Sequence, residues 1–380
     1  MAEPDFPESE YEGRLERAQH AMRKEGFDAL FFTTEPEMRY FTGFRTLFWQ
    51  SPTRPWFLIV PQDGKPIAII PEIGAPLMAS TWIDDIRTFS APHPVDEGIS
   101  VLASSLKTYR RIGLPMGRES SLRMPMQDFE ELQSELAETS FADASPLMMQ
   151  LRMVKSDKEI DLLRRICRIG SAAFANAGSL FHEGQPLREA FRKFKIELLQ
   201  QGADDVPYLV GGAGPGGYYD VISPPTDRPL AEGNVLMLDT GATRNGYFCD
   251  FDRNFAIGHA TDDVRAAHEK LVQAVAAAAA IARPGKTCAD LFKAMTDVLA
   301  QDPGNVGRLG HGLGMQLTET PSITAFDSTE LRENMVLTLE PGIGLRDDKM
   351  MVHEENIVIR AGAPEFLSTP ASAEIPVIPD

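Results

Sequence analysis

Two stretches of the 380-residue chain read as versions of one another, and no other feature limits the fold as tightly. Asn234-Val235-Leu236-Met237-Leu238-Asp239-Thr240-Gly241 is echoed by Met335-Val336-Leu337-Thr338-Leu339-Glu340-Pro341-Gly342. Each is an apolar strand ending on a carboxylate followed by x-Gly. Each is followed by a second acid-bearing segment, Cys249-Asp250-Phe251-Asp252 in the first half and His353-Glu354-Glu355 in the second. Two related halves that face each other bring four carboxylates into one cleft. Carboxylates on apolar strands are costly to bury as ions unless something positive compensates them. The segments holding Asp239, Asp250, Glu340 and Glu354 carry no equal number of Lys or Arg, so a cation cluster is the economical expectation.

His311, within Gly310-His311-Gly312-Leu313-Gly314, adds one imidazole on a glycine-rich turn where backbone and ligand can approach closely. Four carboxylates and one imidazole, without a thiolate, favour manganese, iron, cobalt or magnesium over a structural zinc. Two bridging carboxylates hold a pair of ions about 3.5–4 Å apart, the arrangement that clamps the attacking and leaving atoms of a hydrolysis, with a bridging hydroxide as the implied nucleophile.

The rest of the chain supplies the frame. Apolar positions from Tyr11 to Gly26 recur at helical spacing, and Ala29–Phe32, Trp56–Val60 and Pro66–Ile70 are short apolar runs suited to buried strands of a mixed sheet. These predict an N-terminal α/β domain over residues 1–150. Ser156 and Glu159 form a capping-box pattern that opens a second domain, 151–380. Its helices include one opened by Pro186 and an alanine-rich one from Asp263 to Arg283. With 55 acidic against 37 basic residues and a formal charge of -18, the surface repels phosphate backbones, so no nucleic-acid partner is expected. Three widely spaced cysteines suit a reducing compartment. No stretch reaches the roughly 18 apolar residues of a membrane span, and a cytoplasmic protein is expected.

The run from Asp239 through Gly246-Tyr247, Asp250 and Asp252-Arg253, then Gly310-His311-Gly312, Glu340-Pro341-Gly342 and His353-Glu354-Glu355-Asn356, resembles the pita-bread metallopeptidases, the group of aminopeptidase P, prolidase, methionine aminopeptidase and creatinase. Met38-Arg39-Tyr40-Phe41-Thr42-Gly43-Phe44 resembles their N-terminal creatinase-like domain. The resemblance implies an α+β pita-bread catalytic domain behind an α/β domain. It implies two divalent ions, manganese first, with cobalt, iron or zinc as alternatives. Asp239 would be a ligand of one ion, Asp250 and Glu354 would bridge, and His311 with Glu340 would hold the other, Glu340 also moving the catalytic proton. Glu354 is chosen over Glu355 by register. The activity implied is cleavage of an amide bond in a dipeptide or short peptide of the Xaa-Pro type, by a homodimer.

The chain departs from that pattern around the substrate. Peptidases that cleave next to proline usually carry histidines where this chain has the Gly214–Asp227 stretch and Thr318, and an arginine where it has Val352. Tyr219, Ser223 and Thr318 are therefore the expected substrate contacts, with Tyr218 as another hydroxyl nearby. Asp252 stands where the family usually has threonine, and an ion pair with Arg253 is expected of it, with contact to the metals or a cationic substrate as the alternative. These departures favour an alternative in which the fold serves a small non-peptide substrate, as in creatinase, ectoine hydrolase or a related lyase. A binding protein without turnover is the third reading.

Overall fold

The computed structural model describes residues 5–51 and 54–379. The chain divides into two compact units, Met1–Arg152 and Met153–Asp380.

In the first unit, helix Glu8–Glu25 buries the stripe Tyr11, Leu15, Ala18 and Met22 and stops at Gly26, whose φ of 73° is the left-handed value that ends helices. The chain then enters a six-stranded mixed sheet. Ala29–Phe32 runs antiparallel to Phe57–Pro61 and parallel to Arg111–Leu114. All four residues of Ala29–Phe32 are fully buried, which is why that strand is a continuous apolar run rather than an alternation.

The second unit opens where Ser156 caps helix Asp157–Ala175, with the reciprocal Glu159 bond of a capping box. Helix Leu187–Gln200 follows Pro186, and Thr261 caps the alanine-rich helix Asp262–Ile281. Two sheets carry the acids. One includes the antiparallel strands Asp205–Pro215, Asn234–Arg244 and Phe251–Ile257; the other includes His311–Gly312, Val336–Leu339 and Glu355–Val358. Met237, Leu337, Leu339 and Ile357 from these strands share one core with Leu271, Ala274 and Ala278 of the alanine-rich helix. Among the described residues, no helix is long and apolar enough to cross a membrane.

The internal repeat is present as paired strands. In the first half Arg253 lies opposite Leu238 and Asn254 opposite Met237; in the second, Glu355 lies opposite Leu339 and Asn356 opposite Thr338. Aligning Leu238 with Leu339 therefore places Asn254 on Asn356. Each asparagine reaches into the other half. Asn356 brackets the backbone of Asp250, its Nδ2 donating to the Asp250 carbonyl and its Oδ1 accepting from the Asp250 N–H at 3.0 Å. Asn254 donates to the Val352 carbonyl at 2.7 Å. A pair of equivalent amide clamps thus fixes the segments that carry Asp250 and Glu354.

Candidate metal centre

Asp250, His311 and Glu354 are buried, and one ligating atom from each lies within 4.8 Å of the others. Backbone geometry brings His311 there. Gly310 holds a φ of 135°, and a Cβ on it would sit 2.3 Å from the Thr338 carbonyl oxygen; one on Gly312 would sit 2.2 Å from that of Thr320. Only glycine lets the turn press this closely on its neighbours. The His311 Nδ1 lies 2.9 Å from the Gly312 carbonyl and so must donate to it, leaving the Nε2 lone pair free, 3.4 Å from Asp250 Oδ2. Burial, then the positive charge of Arg308, pushes the His311 pKa down to about 4, so the ring is neutral at pH 7, as a metal ligand must be.

Asp239 and Glu340 are only half-buried and complete the acidic lining. Burial first, and the neighbouring carboxylates next, hold Asp239, Asp250 and Glu354 well above the ordinary carboxylate range. Glu340 is raised to about 7 by burial and by Asp252, with Arg308 opposing. The four acids therefore share one electrostatic environment. Asp239 Oδ1, Glu354 Oε1 and Asp252 Oδ2 are buried without any hydrogen-bond partner. Orphaned carboxylate oxygens beside a neutral imidazole are the donor set that hard or borderline divalent ions require, so the residues fit such ions.

Neighbouring strand residues point to opposite faces, and this separates Glu354 from Glu355. Glu355 turns away to Arg253, whose Nη2 lies 2.9 Å from its Oε2, and to His353, 3.3 Å from its Oε1. Burial works against the charge on Glu355, but Arg253, His353 and Ser368 hold its pKa down at about 2. The expected Asp252–Arg253 ion pair does not form, for the same alternation: Arg253 leaves with Glu355, while Asp252 Oδ1 takes the His353 Nδ1 at 3.3 Å and the Glu354 N–H at 3.2 Å. Between two carboxylates, His353 has a raised pKa although its burial favours the neutral ring.

The expected substrate contacts are dispersed. Tyr219 and Ser223 are exposed and line a hollow of about 140 Å³ that none of the five candidate ligands lines. Tyr218 is buried instead, and its hydroxyl donates to Asn254 and accepts from the Val352 N–H. Thr318 is half-buried on the loop after Gly-His-Gly. That loop is held by Glu319, which pairs with buried Lys155 at 3.0 Å and accepts the Gln316 N–H at 3.1 Å.

Two residues at the centre carry no motif. Tyr208 stands beside the acids, and burial, then the charges of Asp239, Asp250, Glu354 and Glu340, lifts its pKa far above the usual value. Strand register puts it there, since Tyr208 lies opposite Gly241 and Val210 opposite Asp239. A Cβ on Gly241 would meet Leu317 Cδ1 at 2.4 Å and Tyr208 Cβ at 3.0 Å, so both side chains pack directly on the Gly241 backbone. Arg308 is exposed, makes no hydrogen bond or ion pair among the described residues, and lowers the pKa of both Asp250 and Glu340.

The model of metallopeptidase family M24 matches residues 161–361, and that of the creatinase/prolidase N-terminal domain matches 14–154. The chain belongs to metallopeptidase family M24. Similar family members include the Xaa-Pro dipeptidase of Pyrococcus horikoshii, 26% identical over 85% of this chain and 87% of that protein. The probable dipeptidase PepE of Mycobacterium tuberculosis is 27% identical over 98% of this chain and all of its own. The solved structure of dipeptidase PepE from Mycobacterium ulcerans superposes with a TM-score of 0.85 at 25% identity, covering 99% of this chain and 100% of the other. The prolidase structure from Pyrococcus horikoshii gives 0.83 at 22% identity, covering 96% and 100%. The fold is thus the pita-bread α+β domain behind a creatinase-type α/β domain, and the protein is a metal-dependent peptidase.

Proposed function

We propose that this family M24 enzyme hydrolyses the amide bond of a dipeptide or short peptide of the Xaa-Pro type, with Asp239, Asp250, His311, Glu340 and Glu354 holding two divalent ions. The observation that carries the proposal is the convergence of Asp250, His311 and Glu354 within 4.8 Å. The dipeptidase names borne by similar proteins support the substrate class. Manganese is the proposed metal, because the donor set is oxygen-rich and lacks thiolate. A cytoplasmic homodimer belongs to the same proposal; the three buried free cysteines suit that compartment.

The ions, when bound, supply Lewis acidity at the carbonyl and lower the pKa of water. Glu340, whose pKa is raised to about 7, is the proposed group that takes a proton from the attacking water at a carboxylate oxygen and returns it to the departing amine. Tyr208, brought to Asp239 by strand register, is the proposed hydroxyl donor to it. His311 keeps its tautomer through Gly312. Thr318, on the loop after Gly-His-Gly, is the proposed substrate contact, with Arg308, which makes no ion pair among the described residues, available to a substrate carboxylate.

One observation favours a second reading. Thr318, Val352 and the histidine-free 214–227 stretch remove the side chains that proline-directed relatives usually aim at substrate, which suits a small non-peptide substrate instead. Turnover of Ala-Pro, a longer Xaa-Pro peptide, a methionyl dipeptide, creatine and ectoine by the manganese-loaded protein separates the two. Fastest cleavage of Ala-Pro is expected. Turnover of creatine or ectoine with intact peptides would overturn the peptidase specificity.

A further inference from the structure

Outside the five proposed ligands, Asp252 is a buried carboxylate beside the cleft with a free oxygen. Asp252 is 1% exposed, and its Oδ2 has no hydrogen-bond partner. It lies directly opposite Asp239 across the strand pair, two residues beyond Asp250. Its charge acts on Asp239, Asp250, Glu340 and Glu354.

The internal repeat says what kind of position this is. Leu238 pairs with Arg253 as Leu339 pairs with Glu355, so one step along each pair Asp239 faces Asp252, and Glu340 and Glu354 take the corresponding places. The amide donations from Asn254 to Val352 and from Asn356 to Asp250, acceptors two residues before Glu354 and Asp252 respectively, fit the same correspondence. Asp252 is therefore the first-half counterpart of Glu354, a proposed bridging ligand, and both present a buried oxygen without a partner.

We propose that Asp252 is a sixth metal-directed side chain, whose free Oδ2 faces the divalent ions and tightens their binding. The inference rests on the two-ion reading above. Asp252 Oδ1 is already occupied by His353 and the Glu354 N–H, so the carboxylate is held from one side and presents the other. His353, itself held by Glu355, backs the carboxylate on the side away from its free oxygen. A threonine at this position would place a neutral hydroxyl there and leave His353 with one carboxylate.

The test is calorimetric titration of the metal-stripped full chain with Mn²⁺, comparing the parent with Asp252→Asn, Asp252→Thr and Asp252→Glu. Asp252→Asn retains the Oδ1 acceptor for the Glu354 N–H and replaces the charged, free Oδ2 with a neutral NH2. Expected is a loss of Mn²⁺ affinity of about 10- to 100-fold in the Asn and Thr variants, the range typical of groups that tune a metal site, with most of it restored by Glu. Parent-like affinity in Asp252→Asn would overturn the inference, because the residue would then act only through its bond to the Glu354 backbone. Where Asp252→Asn does not fold, parent-like affinity in Asp252→Thr overturns it equally. A parent that binds no Mn²⁺ would overturn the two-ion reading itself, whereas two ions bound alike by parent and Asn variant would overturn this inference alone.

Discussion

At the scale of single residues, the centre is a set of acids made expensive to ionise and one histidine made easy to keep neutral. Glu340 is the acid with the clearest chemical task, and Glu340→Gln under saturating manganese is expected to lower kcat by about 10²–10⁴-fold, the usual worth of a positioned acid–base group; steady-state turnover of Ala-Pro checks it. Arg308 opposes the effects of burial and of Asp252 on Glu340, whose pKa is about 7. Removing that charge in Arg308→Ala should lift Glu340 further. Protons then compete with metal to higher pH, and the pH at which Mn²⁺ binding is half-maximal should rise. An unchanged midpoint would show that Arg308 does not act on this cleft. The acid-bearing strands and the Gly-His-Gly turn were legible in the sequence as a pattern, and Glu354 was expected over Glu355 from register within the family resemblance. Tyr208 and Arg308 were not, because neither stands in a motif: strand register alone carries Tyr208 to Asp239. Adjacency in sequence misled for Asp252 and Arg253, since strand alternation sends their side chains apart.

At the scale of elements, the site is held by strands that repeat and by a loop that is pinned. The repeat was visible as two apolar strands ending in acids, but the asparagine clamps that join the halves depend on cross-strand placement and could not be read from spacing. The capping box at Ser156 and Glu159, by contrast, is a local device and forms as its residues suggest. The loop carrying Thr318 depends on Glu319, whose partner Lys155 is 164 positions away in sequence. Both side chains of that pair are nearly inaccessible. Lys155→Met would remove the cation from a buried ion pair, a change that typically costs about 3–5 kcal/mol. Chemical denaturation should show that loss, and adding Glu319→Gln should recover part of it. No loss in the single variant would mean that the pair does not hold the loop.

At the scale of the whole molecule, charge couples stability to pH and metal. A carboxyl raised in the folded state binds more protons folded than unfolded, so stability is present at low pH and falls as pH rises through the interval between the two pKa values. For Glu340 that interval runs from 4.5 to about 7, and Asp239, Asp250 and Glu354 shift in the same direction. Glu355 behaves oppositely: its stabilisation is complete above 4.5 and is lost as pH falls towards about 2. The metal-free protein should therefore melt at lower temperature at pH 8 than at pH 5.5, and saturating manganese should raise the pH 8 melting temperature most, because binding to the folded state replaces the missing protons. A metal-free melting temperature that climbs from pH 5.5 to 8 would contradict this. The measurement that bears most directly on the central claim is stepwise return of Mn²⁺ to the metal-stripped protein, with bound metal and Ala-Pro hydrolysis followed in the same samples. Activity that appears as occupancy approaches two ions per chain, and is absent in Glu340→Ala, is the predicted result. Two ions bound without peptide hydrolysis, or hydrolysis without metal, would contradict it.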